Sequence, residues 1–200
     1  MITIIDYGLG NIRAFVNVYR RLDIAVRVAC EPTDVETAER IILPGVGAFD
    51  HAMDLLQKSG MRESLDAAAS RVPVLGICVG MQILAGASEE GKLRGLGWID
   101  GAVRRFDVTR APIRLPHMGW NDVKPRTHGG LFAGLEEAAR FYFLHSYYFA
   151  CNDAADELAQ TDYGVAFASA VRRRNIYGVQ FHPEKSHHFG VRLLKNFAEL

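Results

Sequence analysis

The stretch Val72–Leu84, VPVLGICVGMQIL, is an apolar run with one thiol at its centre. Val72 to Ile77 has the length and β-branched content of a buried strand, and a helix is expected from about Val79. Between them, Gly76-Ile77-Cys78-Val79-Gly80 has the form glycine–x–nucleophile–x–glycine, with cysteine at the centre. Such an elbow needs a strand that runs straight into a helix, so that the central residue sits at the tip of a strained turn. Its glycines let neighbouring backbone approach without a Cβ clash. Two chemical consequences follow. A helix N-terminus favours thiolate over thiol, and the Val79 N–H faces the place where an oxyanion forms. A free cysteine is also among the most buried residue types, so the local pattern fits a core residue as well as a nucleophile.

Outward from this stretch the chain alternates. Ile2–Asp6, Ile24–Val28 and Arg40–Leu43 read as short strands, the last stopping at Pro44-Gly45. Asn11–Leu22 carries Ile12, Phe15, Val16, Tyr19 and Leu22 at helical spacing, and Phe49–Gln57 and Met61–Ala69 also read as helices. Strand–helix alternation of this kind predicts βαβ units and a mainly parallel sheet flanked by helices. After Gly91 the runs are short and β-rich: Trp98–Phe106, His117–Val123, Phe141–Phe149, Val165–Val171 and Ile176–Phe181. They predict antiparallel additions to the same sheet or a small second sheet. A final helix presents Phe189, Leu193, Phe197 and Leu200 on one face, with Ser186 as its expected N-cap. With no internal repeat and no linker, one α/β domain over residues 1–200 is expected.

Composition excludes several classes. The chain has 200 residues, 49% hydrophobic and 23% charged, with 23 Lys+Arg balancing 23 Asp+Glu. This is neither a disordered nor a membrane-spanning composition, and the balance gives no reason to expect nucleic acid or an anionic membrane. Arg172-Arg173-Arg174 reads as a solvated turn. Cys30, Cys78 and Cys151 lie far apart, with no C-x-x-C pair. That spacing argues against a disulfide scaffold or zinc finger and, with no basic leader before an apolar core, suits a reducing cytoplasm.

A cysteine nucleophile needs a base and a group that orients the base. Gly178–Ser186, GVQFHPEKS, supplies candidates: a β-rich run ends at Phe181, then come His182, Pro183 and Glu184. Pro183 pushes His182 toward extended backbone, and in extended chain residues two apart face the same side. Glu184 can then hold one ring nitrogen while the other faces a thiol, which is the logic of a catalytic triad. Either residue alone reads as a surface charge at a strand end. It is the order strand–Cys–helix, then strand–His–Pro–Glu–helix, that makes the joint reading. Pro44-Gly45-Val46-Gly47 follows another expected strand, at the sheet end where α/β proteins bind ligands, and its backbone N–H groups are further oxyanion donors.

With these stations read, PGVGAF, GICVGMQ and QFHPEKS, in that order, resemble the class I (triad) glutamine amidotransferases. IIDYGLGNI, HMGWN (His117–Asn121) and FLHSYY (Phe143–Tyr148) resemble, within that family, the glutaminase subunits of imidazole glycerol phosphate synthases of histidine biosynthesis. The likeness covers essentially the whole chain. It implies a flavodoxin-like fold and hydrolysis of glutamine to glutamate and ammonia, with Cys78 as nucleophile, His182 as the proton carrier and Glu184 as its orienter. It implies oxyanion donors at Val46, Gly47 and Val79, and a glutamine site formed by Gly45, Gly47, Gln82, His145, Ser146 and Tyr147. No cofactor and no metal are implied. The implied partner is a (β/α)8-barrel cyclase that receives the ammonia through a conduit, facing Tyr7, Gly10, Asn11, Met118, Trp120, Asn121 and Lys185. Val79 stands where the family carries leucine; only its backbone N–H is needed, so the departure puts little in doubt.

Other readings remain at this point. Ile2–Asp6 running into Gly8-Leu9-Gly10, with Glu31 further on, imitates a dinucleotide-binding fingerprint, but the third glycine would fall at Arg13. A non-catalytic subunit on the same fold, or a glutaminase serving a different acceptor synthase, would look similar. His187-His188 reads as an exposed first helical turn, with a metal site shared with His182 as its rival.

Overall fold

In the computed structural model, which describes residues 1–109, 113–127, 129–135 and 139–200, the N-terminal half follows the predicted alternation. It runs β1 (Ile2–Ile5), α1 (Ile12–Arg21), β2 (Val26–Ala29), α2 (Pro32–Glu36), β3 (Ile41–Gly45), α3 (Phe49–Lys58), α4 (Arg62–Ala69), β4 (Val74–Cys78) and α5 (Val79–Gln82). The remainder is β5 (Ala87–Ser88), β6 (Gly101–Arg105), β7 (His117–Asp122), β8 (Lys124–Pro125), β9 (Arg140–His145), β10 (Tyr147–Cys151), β11 (Glu157–Asp162), β12 (Ala166–Arg173), β13 (Ile176–Val179) and α6 (His187–Glu199).

The main sheet has the order β2-β1-β3-β4-β13-β12-β10-β6-β5, with β11 added on β12. The strands from β2 to β13 are parallel, in the doubly wound order of flavodoxin-like folds. β12, β10 and β6 continue antiparallel. β7 and β9 pair apart from them, as a two-stranded antiparallel sheet. Both expected uses of the β-rich half therefore occur. β1, β3, β4 and β13 are buried along their whole length, as strands covered on both faces must be. α1 packs against α6, where the Tyr19 hydroxyl donates to the Leu194 carbonyl, and α2 packs against α4.

Four local expectations change. The single run Phe141–Phe149 is two strands in different sheets, broken at Ser146: β9 leaves to pair with β7, and β10 pairs with β6 and β12. β3 does not stop at Pro44. Its pairing with β1 extends to Ile42, and beyond it Pro44 and Gly45 still lie opposite Ile77 and Cys78 of β4, where proline's missing N–H costs no bond toward β1. The helix after Cys78 is a single turn, so its macrodipole is small and the strained elbow itself carries more of the geometry. Ser186 holds the N-cap position of α6, but its side chain does not cap; it bonds elsewhere.

Candidate active site

β3, β4 and β13 are neighbours, and Val46, Cys78 and His182 lie at or just beyond their C-terminal ends. Parallel pairing thus brings together stations far apart in sequence, at the edge where α/β folds bind ligands. Cys78 has φ 56 and ψ −113, a conformation a side chain adopts only when its surroundings enforce it. The enforcement is visible at Gly80, where a Cβ would fall on the Leu43 carbonyl, and at Gly76, where it would meet the Gly80 backbone. The Cys78 side chain is nearly buried, with 4% of the residue exposed.

His182 follows β13 in extended conformation, and Pro183–Lys185 forms a 3-10 turn. Glu184 therefore reaches the ring from a tight turn rather than from extended chain: His182 Nδ1 lies 3.0 Å from Glu184 Oε1, and both side chains are buried. Nδ1 on the carboxylate leaves Nε2 for the sulfur. Burial alone would push the His182 imidazole down; hydrogen bonds with Cys78 and with Glu184 outweigh it and carry it up to about 10. The imidazole and the sulfur are thus hydrogen-bonded partners, with the carboxylate on the far side of the ring. Glu184 Oε2 is buried with no hydrogen-bond partner among the described residues, so the carboxylate is poorly solvated and its pull on the imidazolium is correspondingly strong. Ser186 fixes the histidine from behind. Its hydroxyl donates to the His182 carbonyl (2.6 Å) and accepts from the Tyr142 N–H (3.0 Å), while the His182 N–H donates to the Tyr142 carbonyl (2.8 Å).

Cys78 and His182 open into a cavity of about 360 Å3. Val46, Gly47, Val79 and Gln82 line it, as do His145, Ser146, Tyr147 and Lys185. Gly45 does not line it; it lies opposite Cys78 in the β3–β4 ladder, with the Gly80 backbone too close for any side chain. Gln82 is buried, and its amide nitrogen donates to the Tyr147 carbonyl and to Gln180 Oε1. Gln180 in turn donates to the Cys78 sulfur at 3.8 Å. Gln180 is a site residue that sequence reasoning missed, although it stands only two residues before His182 in a run that reads as strand from the sequence. Glu90 was also missed: it lines the cavity and its carboxylate accepts from the Phe49 N–H at the start of α3. It lies in a glycine-bounded loop without periodicity, which gives no signal. A carboxylate there can pair with a cationic group of a ligand.

The residues expected to face a partner divide. Met118 and Trp120 are 60% and 40% exposed on one face of β7, beside exposed Leu144 of β9 at the cavity mouth, and Lys185 is exposed over the Tyr142 ring. Trp120 is thus not a core residue; it stacks on His187 at 5.2 Å. Asn11 is exposed and accepts from the Ala14 N–H as the N-cap of α1. Asn121 is half-buried, with its amide on His117 and Asp162. Gly10 packs against Pro44. Tyr7 departs from expectation: it is buried and its hydroxyl donates to the Pro44 carbonyl at 2.8 Å, so it braces β3 from within. Burial, then the neighbouring Cys78, pushes its phenol above the ordinary range. Glu31 forms a capping box with Asp34 at α2, an ordinary helix start. Among the described residues no group of three His, Cys, Asp or Glu side chains could hold a metal ion, and His188 packs on Phe189. No described helix is long and apolar enough to cross a membrane.

A family model for glutamine amidotransferase class-I matches residues 3–200. The chain belongs to the class I glutamine amidotransferases. Among curated relatives of this amidotransferase, a Bdellovibrio bacteriovorus protein named imidazole glycerol phosphate synthase subunit HisH is 59% identical, with both chains fully covered. A Leptospira interrogans protein of the same name is 49% identical, again over the full length of both. Solved structures share the fold at lower identity. A crystal structure described as a glutamine amidotransferase is 19% identical with a TM-score of 0.77, covering 100% of this chain and 99% of that one. PurLQS from Thermotoga maritima is 16% identical with a TM-score of 0.74, covering 99% and 97%.

Proposed function

We propose that this amidotransferase is the glutaminase subunit of an imidazole glycerol phosphate synthase, releasing ammonia from glutamine for a cyclase subunit in histidine biosynthesis. The observation that carries the reading is the meeting of strained Cys78 with the buried His182–Glu184 pair on one cavity, in a chain 59% identical over its length to a HisH subunit. The thiolate of Cys78 attacks the side-chain amide carbon of glutamine. The oxyanion is met by the Val79 N–H and by the Val46–Gly47 backbone. As the C–N bond breaks, His182 delivers its proton to the nitrogen and ammonia leaves. Water then attacks the glutamyl thioester, His182 takes the water's proton, the C–S bond breaks, and glutamate departs with the thiolate restored. Gln82 and the His145–Tyr147 bend hold the substrate, and Glu90 receives its ammonium group.

Ammonia in neutral water is mostly ammonium, a poor nucleophile, so it must pass directly to a bound acceptor. The apolar face around Met118, Trp120 and Leu144 borders the cavity mouth and fits such a docked partner. We take that partner to be a (β/α)8-barrel cyclase, and residues 1–200 to act as one glutaminase domain in the cytoplasm. The test is Cys78→Ala assayed in complex with the cyclase. Synthesis from glutamine is expected to vanish while synthesis from ammonium salts persists; retained glutamine use refutes the assignment.

A further inference from the structure

HMGWN and FLHSYY meet in a buried hydrogen-bond chain that the triad does not use. His145 Nδ1 lies 2.7 Å from the Tyr147 carbonyl, and His145 Nε2 lies 2.9 Å from His117 Nδ1. Asn121 Nδ2 lies 3.2 Å from His117 Nε2 and also donates to the Asp162 carbonyl, while Asn121 Oδ1 accepts from the Asp122 N–H. A carbonyl only accepts, so His145 must carry its proton on Nδ1, and its Nε2 is then an acceptor. His117 must therefore donate from Nδ1, which leaves its Nε2 to accept from Asn121. Every proton position follows from the carbonyl at the end. The chain continues past it: the same Tyr147 carbonyl accepts from Gln82, Gln82 donates to Gln180, and Gln180 donates to the Cys78 sulfur.

We propose that Asn121, His117 and His145 are positioning residues: a one-directional relay of neutral imidazoles that holds the Tyr147 carbonyl, and through Gln82 and Gln180 the Cys78 sulfur, in the arrangement that receives glutamine. This rests on the glutaminase reading above. The rings are locked by their surroundings. His117 is stacked on Tyr163 at 3.9 Å and on Phe143 at 4.7 Å, and His145 packs on Phe106 and Phe167. Protonation of His145 would set two N–H groups against each other across 2.9 Å, and protonation of His117 would set its Nε2–H against the Asn121 amide N–H across 3.2 Å. Burial opposes it, holding His117 near 4; at His145 burial, aided by His117 and the His182 imidazolium, outweighs the bond to Tyr147 and holds it near 3. The outer face of β7, with Met118 and Trp120, is the face expected to meet the partner. The relay starts on that strand's inner face, so it links the docking strand to the nucleophile.

Imidazole 15N shifts of the intact wild-type chain, assigned through His117→Phe and His145→Phe spectra, test the proton positions directly. Both residues are expected as Nδ1–H tautomers that do not titrate between pH 5.5 and 8. An Nε2–H tautomer, or titration of either ring in that window, overturns the relay. Kinetics in the cyclase complex separate positioning from packing. His117→Phe keeps the stacked ring but removes the donor; His117→Asn loses the ring but returns a donor where Nδ1 stood. The relay predicts a loss of about tenfold in kcat/KM for glutamine in His117→Phe, the worth of roughly one buried hydrogen bond, and a smaller loss in His117→Asn. The reverse order means that the ring acts by packing alone. Synthesis from ammonium salts should be equal in all three complexes. If the wild-type complex does not use glutamine at all, the functional reading fails, and the 15N spectra still decide the relay.

Discussion

Cys78 was undecidable from its own neighbours, because a buried cysteine and an elbow nucleophile both favour an apolar run ending at glycine. The backbone supports the proposed nucleophile: φ is 56 at a non-glycine residue, enforced by close approach at Gly76 and Gly80. Gly80→Ala should therefore disrupt the elbow outright, with soluble yield or melting temperature reporting the collision with the Leu43 carbonyl; a stable, fully active variant would show that the approach is not tight. Glu184→Gln removes the charge that stabilises the imidazolium, and kcat for glutamine should fall roughly 10²–10⁴-fold with little change in KM. A change confined to KM would point instead to substrate binding. Residues with distinctive chemistry at strand ends, such as His182, were legible in the sequence. Gln180 and Glu90 were not singled out, because a buried glutamine and a loop carboxylate carry no period. The motif around Tyr7 predicts a partner surface, yet its ring is buried, with its hydroxyl on the Pro44 carbonyl.

At the scale of elements, the parallel strands were legible because burial on both faces leaves continuous apolar runs. The β-rich half was less so. A run such as Phe141–Phe149 shows no turn signal, and only the small bend at Ser146, bridged by His145 to the Tyr147 carbonyl, divides it between two sheets. The short strands β5 and β8 carry too few residues for any period to show. Two predictions belong here. Ser186→Ala removes both of the hydroxyl's bonds, to His182 and to Tyr142, and should cost about 1–3 kcal/mol of stability with a fall in kcat, measured by denaturant unfolding and glutamine turnover; an unchanged kcat would mean that His182 is held without it. Trp120→Ala should weaken cyclase binding by about 2 kcal/mol, roughly thirtyfold in Kd, by calorimetric titration, while the isolated chain keeps its fold. Unaltered affinity would remove the β7 face from the interface.

Across the whole molecule, parallel pairing puts Val46, Cys78 and His182 at adjacent strand ends and leaves the antiparallel half to build the far wall of the cavity. That half also holds the two neutral histidines, and their sign is definite. His117 and His145 have folded pKa values depressed to about 4 and about 3, below the roughly 6.5 of an unfolded histidine. Their contribution to stability is present above about pH 6.5 and is lost as pH falls toward those values, because the unfolded chain binds protons the folded one refuses. Unfolding free energy should drop between pH 6.5 and 4.5, with a shallower slope in His117→Asn; equal slopes would mean that other groups govern the acid limb. The most direct test of the central claim is to mix the cyclase complex with glutamine, quench during turnover and analyse its peptides by mass. A glutamyl adduct is expected on the peptide containing Cys78, absent in Cys78→Ala and accumulating when thioester hydrolysis is slowed. Glutamate released at an undiminished rate by Cys78→Ala, or an adduct on another residue, would contradict it.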